Sequence, residues 1–496
     1  MGILTESDNP QIIQGGMGVA ISSWRLARAV SKLGQLGVVS GTALDNVMVR
    51  RLQDGDPGGH VRRALDRFPY PELAEAVWGE YFIPGGKSAK DSYVTLPMQS
   101  VDGPRELNEL SIVANFVEVS LAKIGHSNPV GINYLEKIQI PHLPAIYGAM
   151  LAGVQYILMG AGIPAKIPGI LDLFTEHQTA SYPLHVAGAQ EGETTTLVFN
   201  PKDYIPIQLP ALARPKFLAI VSSHVLAATL AKKSNGKVDG FIVEGPTAGG
   251  HNAPPRGKLN LNTSGEPIYG ERDQVDLAKM RELALPFWLA GGFGSPGRLQ
   301  HALSWGAAGV QVGTPFAFCK ESGLKDEFKN ALIAEAREGM IRVFTDPLAS
   351  PTGFPFKVVP VKGSLSEETV YQARPRICDL GYLREAYRTP QGDVGFRCAG
   401  EPVSVYLSKG GKIEDTVGRK CICNALVANI GHPQARAGKH IESALVTSGD
   451  DLCGISEFLA PGASSYTAND VISKLLAGQV DAAPALLHKL SNEVSA

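Results

Sequence analysis

The sequence predicts an α/β protein, a (β/α)8 barrel with a long helical insertion and a C-terminal appended region. Strand-like apolar runs alternate with helix-like runs, which is typical of a parallel sheet covered by helices. Eight strand-like runs are complete by residue 312, about the length expected of a barrel with insertions. Glycine-bearing turns at residues 243–252, 289–294 and 312–316 end the last three of these runs.

Helix-like runs separate most of the predicted strands. The barrel strands are predicted at residues 12–14, 36–40, 130–134, 155–159, 217–221, 240–243, 287–290 and 309–312. Helices are predicted at residues 23–33, 143–152, 224–233, 276–285, 298–305 and 325–337. Ser22 or Ser23 is expected to cap the first helix, because a serine oxygen accepts a hydrogen bond from the free amides at a helix start.

Two insertions interrupt this alternation. Residues 45–123 are long and mostly helical, and residues 181–209 indicate a hairpin because 194–199 are rich in strand formers. Past residue 363 charge rises and the cysteines gather. We therefore expect the barrel to occupy residues 1–364 and the appended region to occupy residues 365–496.

Composition indicates a soluble globular chain with a large core. The 496 residues are 44% hydrophobic and 19% charged, with a formal net charge of −2. A nucleic-acid binder normally shows a basic surplus, so we expect no nucleic-acid partner. The N-terminus lacks the basic start and apolar run of a secretion signal, so a cytoplasmic protein is expected. The uncharged stretch 143–165 divides into a helix-like and a strand-like half, which favours buried core over a membrane span.

The glycine turns after the seventh and eighth strands indicate a phosphate site. Gly291-Gly292 ends the seventh strand and Gly313-Thr314 ends the eighth. Ligands of such barrels lie at the C-terminal ends of the strands, and glycine lets the backbone amides approach a phosphate closely. Either pair alone fits an ordinary turn equally well, but both pairs in this order favour a bound phosphate.

His251 is the candidate for proton chemistry. It follows Gly249-Gly250 after the sixth strand, where a neutral imidazole can take or give a proton near physiological pH. A loop histidine bonded to the backbone is the alternative, and the preceding glycine-rich turn favours the acid/base role. Glu244 fits a cofactor contact or a solvated strand end equally well.

The late cysteines raise the question of a metal. Four thiolates can bind zinc or an iron–sulfur cluster. However, the spacing of Cys378, Cys398, Cys421 and Cys423 is not that of a usual two-plus-two knuckle. Free thiols are the preferred interpretation, and no metal site is predicted.

Six short segments resemble the nitronate monooxygenase (2-nitropropane dioxygenase-like) family, in that family's order. They are G-G-M-G at 15–18, G-I-N at 131–133, A-G-I-P at 161–164, A-G-G-H at 248–251, A-G-G-F at 290–293 and G-A-A-G-V-Q-V-G-T-P-F at 306–316. The resemblance covers about residues 10–350 and implies a TIM barrel that binds FMN. It implies His251 as catalytic acid/base and Asn133 as a side-chain hydrogen bonder to the flavin. The cofactor contacts that follow are Gly15, Gly16, Met17, Asn133, Gly162, Glu244, Gly249, Gly250, Gly291, Gly292, Gly313 and Thr314.

The same motifs also resemble flavin-dependent enoyl reductases that serve polyunsaturated fatty acid and polyketide synthases. The opening G-M-G-V-A-I-S-S-W-R-L and the chain length favour that branch. Pro246-Thr247 and the insertion at 45–123 depart from the simple monooxygenases. Under this alternative, NAD(P)H supplies hydride for an enoyl thioester, and an acyl carrier protein is a partner.

We therefore predict an FMN-dependent oxidoreductase that acts on a small-molecule substrate and most resembles a nitronate monooxygenase, which oxidises alkyl nitronates with O2. The enoyl-thioester reductase is the alternative. A third hypothesis is a flavin-binding subunit with little catalysis, docked through residues 365–496 onto a larger synthase. Whether the chain forms a homo-oligomer is left open.

Overall fold

The strand-like runs close into a barrel of eight parallel strands in the computed structural model, which describes residues 9–436 and 440–477. The strands are β1 (Ile12–Gln14), β2 (Leu36–Ser40), β3 (Val130–Leu135), β4 (Tyr156–Gly160), β5 (Lys216–Val221), β6 (Gly240–Glu244), β7 (Phe287–Ala290) and β8 (Gly309–Val312). Each strand pairs with its neighbours in chain order, and β8 pairs back with β1 through Gln14 and Val312. The predicted fold is confirmed, with every barrel strand within one residue of its predicted bounds.

The barrel interior is a packed core rather than a pore. Alternate side chains of the strands point inward and form one buried cluster that includes Ile13, Val38, Leu158, Leu218 and Trp288. The Trp288 indole N–H donates to the Pro10 carbonyl at 2.7 Å. This contact covers the amino-terminal end of the barrel, so ligand access is left to the other end.

Helices surround the strands and bury their apolar faces against them. Those that follow barrel strands span Trp24–Lys32, His142–Leu151, Ile167–Thr175, His224–Lys233, Leu277–Glu282, Arg298–Ser304, Thr314–Ala317 and Asp326–Arg337. The uncharged stretch forms a helix and strand β4, as predicted. Within the residues that the structure describes, no helix combines the length and apolarity needed to cross a bilayer.

The start of the first helix corrects one prediction. Ser23 stands at the N-cap position, but its side chain makes no capping hydrogen bond, and Ser22 Oγ accepts instead from the Met17 amide at 2.7 Å. The Trp24 amide donates to Glu118 Oε1 at 2.7 Å. Ser23 thus occupies the predicted N-cap position without the expected side-chain hydrogen bond, because a carboxylate from the distant insertion satisfies the first free amide of this helix.

Both predicted insertions have the expected secondary structure. The first contains the helices Leu44–Gln53, His60–Leu65, Pro71–Tyr81 and Arg105–Ala122. The second is an antiparallel hairpin of Ala180–Leu184 and Thr195–Phe199, followed by the short helix Pro201–Tyr204. A 3-10 turn at Glu271–Asp273 lies in the loop after β6.

The chain after the barrel consists of small hairpins and helices. The paired strands are Phe344–Asp346 with Phe356–Val358, Glu385–Arg388 with Val394–Arg397, and Ala435–Arg436 with His440–Ile441. The helices are Glu368–Ala373, Val403–Ser408, Ile422–Asn429 and Ala468–Ala477, and the 3-10 segments are Ile413–Thr416 and Asp450–Phe458. Leu452, Ile455 and Leu475 are fully buried in the same apolar cluster as the barrel helices. A domain boundary at residue 364 stays a prediction.

Candidate active site

The turns at the carboxyl ends of the barrel strands surround one cavity of about 400 Å³. These ends meet at one face of a parallel barrel, so residues far apart in sequence converge there. Every site residue predicted from the sequence lines this cavity: Gly15, Gly16, Met17, Asn133, Gly162, Glu244, Gly249, Gly250, His251, Gly291, Gly292, Gly313 and Thr314. The sequence therefore located the cavity, while the role of each residue stays a prediction.

Glycine makes part of the cavity wall from bare main chain. A β-carbon on Gly16 would overlap Asn133 Oδ1. Gly291 and Gly292 have φ of +85° and +74°, in the left-handed region that favours glycine. The turn after β7 therefore presents backbone amides, not side chains, to whatever enters the cavity.

Several buried polar atoms in the cavity wall lack a hydrogen-bond partner. Among the described residues, nothing bonds Asn133 Oδ1, Asn252 Oδ1, Gln311 Oε1 or Ser448 Oγ, and all four residues line the cavity. A buried polar atom without a partner costs roughly 1–3 kcal/mol. A polar ligand that met these atoms would recover that cost. Sequence reasoning missed Asn252, Gln311 and Ser448, although the first two lie inside motifs that it singled out.

The His251 ring is held in one orientation by the hairpin strand Phe356–Val358. Its Nε2 is 2.7 Å from Ser350 Oγ, and the ring packs edge-on against Phe356 with centroids 4.9 Å apart. Burial lowers the pKa of His251 to about 3, and the charge of Lys137 adds to that effect. The imidazole is therefore neutral at physiological pH and able to accept a proton.

Glu244 ends β6 with its half-buried side chain in the cavity wall. Its carboxyl makes no hydrogen bond to any described residue. Burial raises the pKa of Glu244 to about 7. The group therefore changes charge within the physiological range, and its neutral form can donate a hydrogen bond to a ligand.

Residues 447–451, here called the strap, lie against the glycine turns and complete the cavity. Thr447 Oγ1 accepts from the Gly250 amide at 2.9 Å, and the Gly449 amide donates to Thr314 Oγ1 at 3.1 Å. The strap carries no motif, so sequence reasoning missed it.

The strap also brings a carboxyl group to the predicted phosphate site. Asp451 Oδ2 lies 2.6 Å from the point where a β-carbon of Gly294 would stand. Burial raises the pKa of Asp451, although hydrogen bonds from Thr314 and the Gly294 amide oppose part of that effect. Burial thus favours the neutral carboxyl at this end of the cavity.

The outer wall of the cavity is apolar and comes from the chain after the barrel. Its side chains include Phe354, Phe356, Leu383, Ile422 and Leu426. No Lys or Arg is among the described residues that line the cavity. The site therefore offers no fixed cation to an anionic ligand.

The cysteines gather near this wall. Cys423 lines the cavity. The pKa of the Cys378 thiol is raised by a hydrogen bond with the neighbouring Cys398 and by burial. All six cysteines are free thiols. Within residues 9–436 and 440–477, no three His, Cys, Asp or Glu side chains are grouped so that they could hold a metal ion.

Comparison with known families identifies the class of protein. Residues 209–347 match the family model described as nitronate monooxygenase. The match runs from just before β5 to beyond β8 and includes His251 and the last three glycine turns. It confirms the predicted resemblance to that family over these residues, and a match to this model indicates an oxidoreductase. No curated protein is similar enough in sequence to match.

Solved structures with similar architecture are distant in sequence. The chain is 14% identical to nitroalkane oxidase from Streptomyces ansochromogenes, with a TM-score of 0.47, covering 95% of this chain and 96% of that one. It is 16% identical to FabK from Thermotoga maritima, with a TM-score of 0.44 and coverages of 94% and 91%. It is 14% identical to the enoyl reductase domain of MlnA from Bacillus amyloliquefaciens, with a TM-score of 0.34, covering 73% of this chain and 66% of that one. These distant similarities do not decide what the chain does.

The chemistry of the cavity fits a flavin. Its volume lies within the range of small-molecule sites, and its partnerless amide oxygens match the polar edge of an isoalloxazine. The main-chain turns after β7 and β8 fit a phosphate, since barrel phosphate sites use the same turns. Two features oppose a phosphate: the described lining has no Lys or Arg, and Asp451 repels a phosphate through like charge when it is ionised.

Proposed function

We propose that this chain is an FMN-dependent oxidoreductase of the nitronate monooxygenase type, acting on alkyl nitronates or their parent nitroalkanes with O2 as electron acceptor. The observation that carries this proposal is a neutral, half-buried His251 in a cavity whose described lining has no Lys or Arg. NAD(P)H carries a pyrophosphate and an acyl carrier protein carries a phosphopantetheine. A small nitroalkane carries neither group, and it gives its own electrons to the flavin once its proton has been removed.

The residues that would hold FMN belong to two groups. Gly291, Gly292, Gly313 and Thr314 would receive the phosphate, and Gly16 leaves space for the ring system beside Asn133. Bound FMN supplies two-electron redox chemistry and reactivity with O2, while the protein positions and tunes it.

His251 would act on the carbon next to the nitro group. Its Nε2 is engaged by Ser350, which leaves Nδ1 for the substrate. A neutral imidazole can take the proton of a nitroalkane, and the apolar side chains Phe354 and Leu426 line the same cavity. For a preformed nitronate, the same ring would only orient the substrate.

Anaerobic mixing tests this function directly. The purified protein should be yellow, and a nitronate such as propyl-2-nitronate should bleach it without oxygen. NADH and NADPH should leave the colour unchanged. Rapid bleaching by either nicotinamide, with none by the nitronate, would establish the enoyl reductase alternative instead. A protein that neither contains nor takes up flavin would overturn both.

A further inference from the structure

A row of hydrogen-bonding side chains leads away from His251 on the side opposite its free nitrogen. His251 Nε2 is 2.7 Å from Ser350 Oγ, and Ser350 Oγ is 2.8 Å from Thr352 Oγ1. Lys137 Nζ donates to Thr352 Oγ1 at 3.5 Å. Three successive contacts thus join the imidazole to an amine.

The two hydroxyl groups lie in the loop of residues 347–355, which joins Phe344–Asp346 to Phe356–Val358. Ser350 is fully buried, and its Oγ accepts from the Thr352 amide at 3.2 Å. The Arg419 guanidinium donates to the Ser350 carbonyl at 2.8 Å. These contacts hold Ser350 in place and leave its hydroxyl hydrogen free to point toward His251 Nε2 or toward Thr352 Oγ1.

Lys137 has surroundings unlike those of a surface lysine. It follows β3, and its Nζ lies 2.8 Å from the centroid of the Phe354 ring. Burial lowers the pKa of Lys137 to about 7, although the adjacent Glu136 opposes this effect. Lys137 therefore exchanges between ammonium and free amine near neutral pH, which no surface lysine does.

We infer that Ser350, Thr352 and Lys137 form a proton relay that connects His251 with the outside of the cavity. The inference rests on the proposed function, because it takes His251 as the base that receives the substrate proton.

The number of protons is conserved when the relay runs in either direction. When a substrate carbon gives its proton to Nδ1, the Nε2 proton passes to Ser350, the Ser350 proton to Thr352, and the Thr352 proton to the free amine of Lys137. When Nδ1 gives its proton to product or water, the Lys137 ammonium returns one along the same hydroxyls to Nε2. Each hydroxyl accepts from one side and donates to the other, which serine and threonine allow.

Few other titratable or charged groups surround the relay. Glu136 is next to Lys137 and accepts from Tyr182 at 2.7 Å, and His185 interacts with Glu136 through its charge. The Arg419 guanidinium donates to the main-chain carbonyls of Leu348, Ser350 and Asp415. None of these groups reaches the two hydroxyls.

The test compares two substrates that differ by one proton. Oxidation of a nitroalkane requires removal of a carbon-bound proton, whereas its preformed nitronate has already lost it. The variants are Ser350→Ala, Thr352→Val and Lys137→Arg, since arginine keeps the charge and the hydrogen bonds but cannot give up its proton. Lys90→Met, at an exposed lysine, is the control.

Each relay variant should lower the ratio of the nitroalkane to the nitronate bleaching rate by ~10-fold or more, the scale of a lost acid–base step. The rate against pH should also lose the inflection that the wild type shows near neutral pH, while Lys90→Met behaves as wild type. An unchanged ratio in all three variants would overturn the relay. A proportional loss with both substrates would assign these residues a structural role and overturn it too.

A second measurement does not depend on activity. Nitrogen-15 NMR of the His251 ring should show an Nε2 shift that follows the Lys137 titration in wild type and is absent from Lys137→Arg. If nitronate does not bleach the wild type, the proposed function is wrong. The pH dependence of the Nε2 shift then shows by itself whether His251 and Lys137 are connected by the relay. An Nε2 signal with the same pH dependence in both proteins would contradict it.

Discussion

The imidazole of His251 differs from most histidines in what it can do at neutral pH. Burial lowers its pKa to about 3, so the ring is unprotonated throughout the neutral range. An ordinary histidine would be partly protonated just below neutrality. His251 should therefore stay neutral between pH 5 and 8, and its ionisation should cause no loss of activity over that range.

Replacement of His251 with alanine should slow oxidation of a neutral nitroalkane by ~10²-fold or more, because the general base is lost. FMN should stay bound, since the turn amides and not the imidazole contact the cofactor in our proposal. Stopped-flow bleaching measures the rate and fluorescence titration measures FMN affinity. An undiminished rate would remove His251 from the mechanism.

Asp451 gives a pH-dependent prediction. Burial raises the pKa of its carboxyl, so the group is neutral at low pH and becomes charged as pH rises through its folded value. A charged Asp451 would repel the FMN phosphate. The FMN affinity of the wild type should therefore fall with rising pH, and Asp451→Asn should bind FMN several-fold more tightly at pH 8 than the wild type does.

Riboflavin, which lacks the phosphate, is the matched ligand for that experiment. Fluorescence titrations at pH 5 and pH 8 should show no gain in riboflavin affinity for Asp451→Asn. An equal gain for both ligands would mean that the substitution acts on packing and not on charge.

Among individual residues, sequence reasoning found those that stand in motifs and missed those that reach the site from elsewhere. His251 and the glycines lie in turns whose composition departs from ordinary loops. Ser350 and Lys137 are separated from His251 by about a hundred residues or more. Nothing in one sequence indicates that such side chains meet, because the contact depends on how a hairpin packs on a barrel.

At the scale of elements, the turn after β7 is the part of the site most sensitive to side-chain size. Gly291 has a φ of +85°, and a β-carbon there would meet the Gly245 carbonyl and Thr247 Oγ1 at 3.0 Å. A left-handed backbone costs other residues about 1–2 kcal/mol. The turn therefore depends on glycine for both conformation and space.

Gly291→Ala should weaken FMN binding by ~10-fold, the equivalent of about 1.4 kcal/mol. Gly270→Ala is the matched control, because Gly270 has extended backbone and no atom within 4 Å of its added β-carbon. Titration of both apoproteins with FMN measures the difference. Equal affinities would show that this turn does not contact the cofactor.

Element prediction succeeded where the period of the apolar pattern decides the structure. Strands such as β7 are short apolar runs between turns, and their bounds agree with the sequence. The serine cap failed because Glu118, which replaces it, comes from another element. The strap was missed since its five residues have neither a periodic pattern nor a motif.

At the scale of the whole molecule, the barrel and the chain after it share one apolar core. The helix Ala468–Ala477 packs against the barrel helices through fully buried residues such as Leu475. The sequence predicts a region of its own after residue 364, because composition changes there. Composition does not show how much surface two regions bury against each other.

Leu475→Ala should destabilise the protein by roughly 2–5 kcal/mol, the usual cost of a cavity in a core. We expect circular dichroism and release of bound FMN to report one transition that moves to lower temperature. Leu476→Ala is the matched control, since its neighbouring side chain is 40% exposed. Loss of the helix at a temperature where FMN stays bound would show that the region unfolds by itself.

The strap has a consequence for the order of events during synthesis. A ribosome finishes β8 at Val312 well before it reaches Thr447. A nascent chain can therefore form a barrel whose cofactor pocket is still open along one side. FMN that entered at that stage would, on our proposal, be enclosed when the Asp450 amide bonds the Thr247 carbonyl. In the finished protein, on the same proposal, exchange of FMN would require this segment to detach.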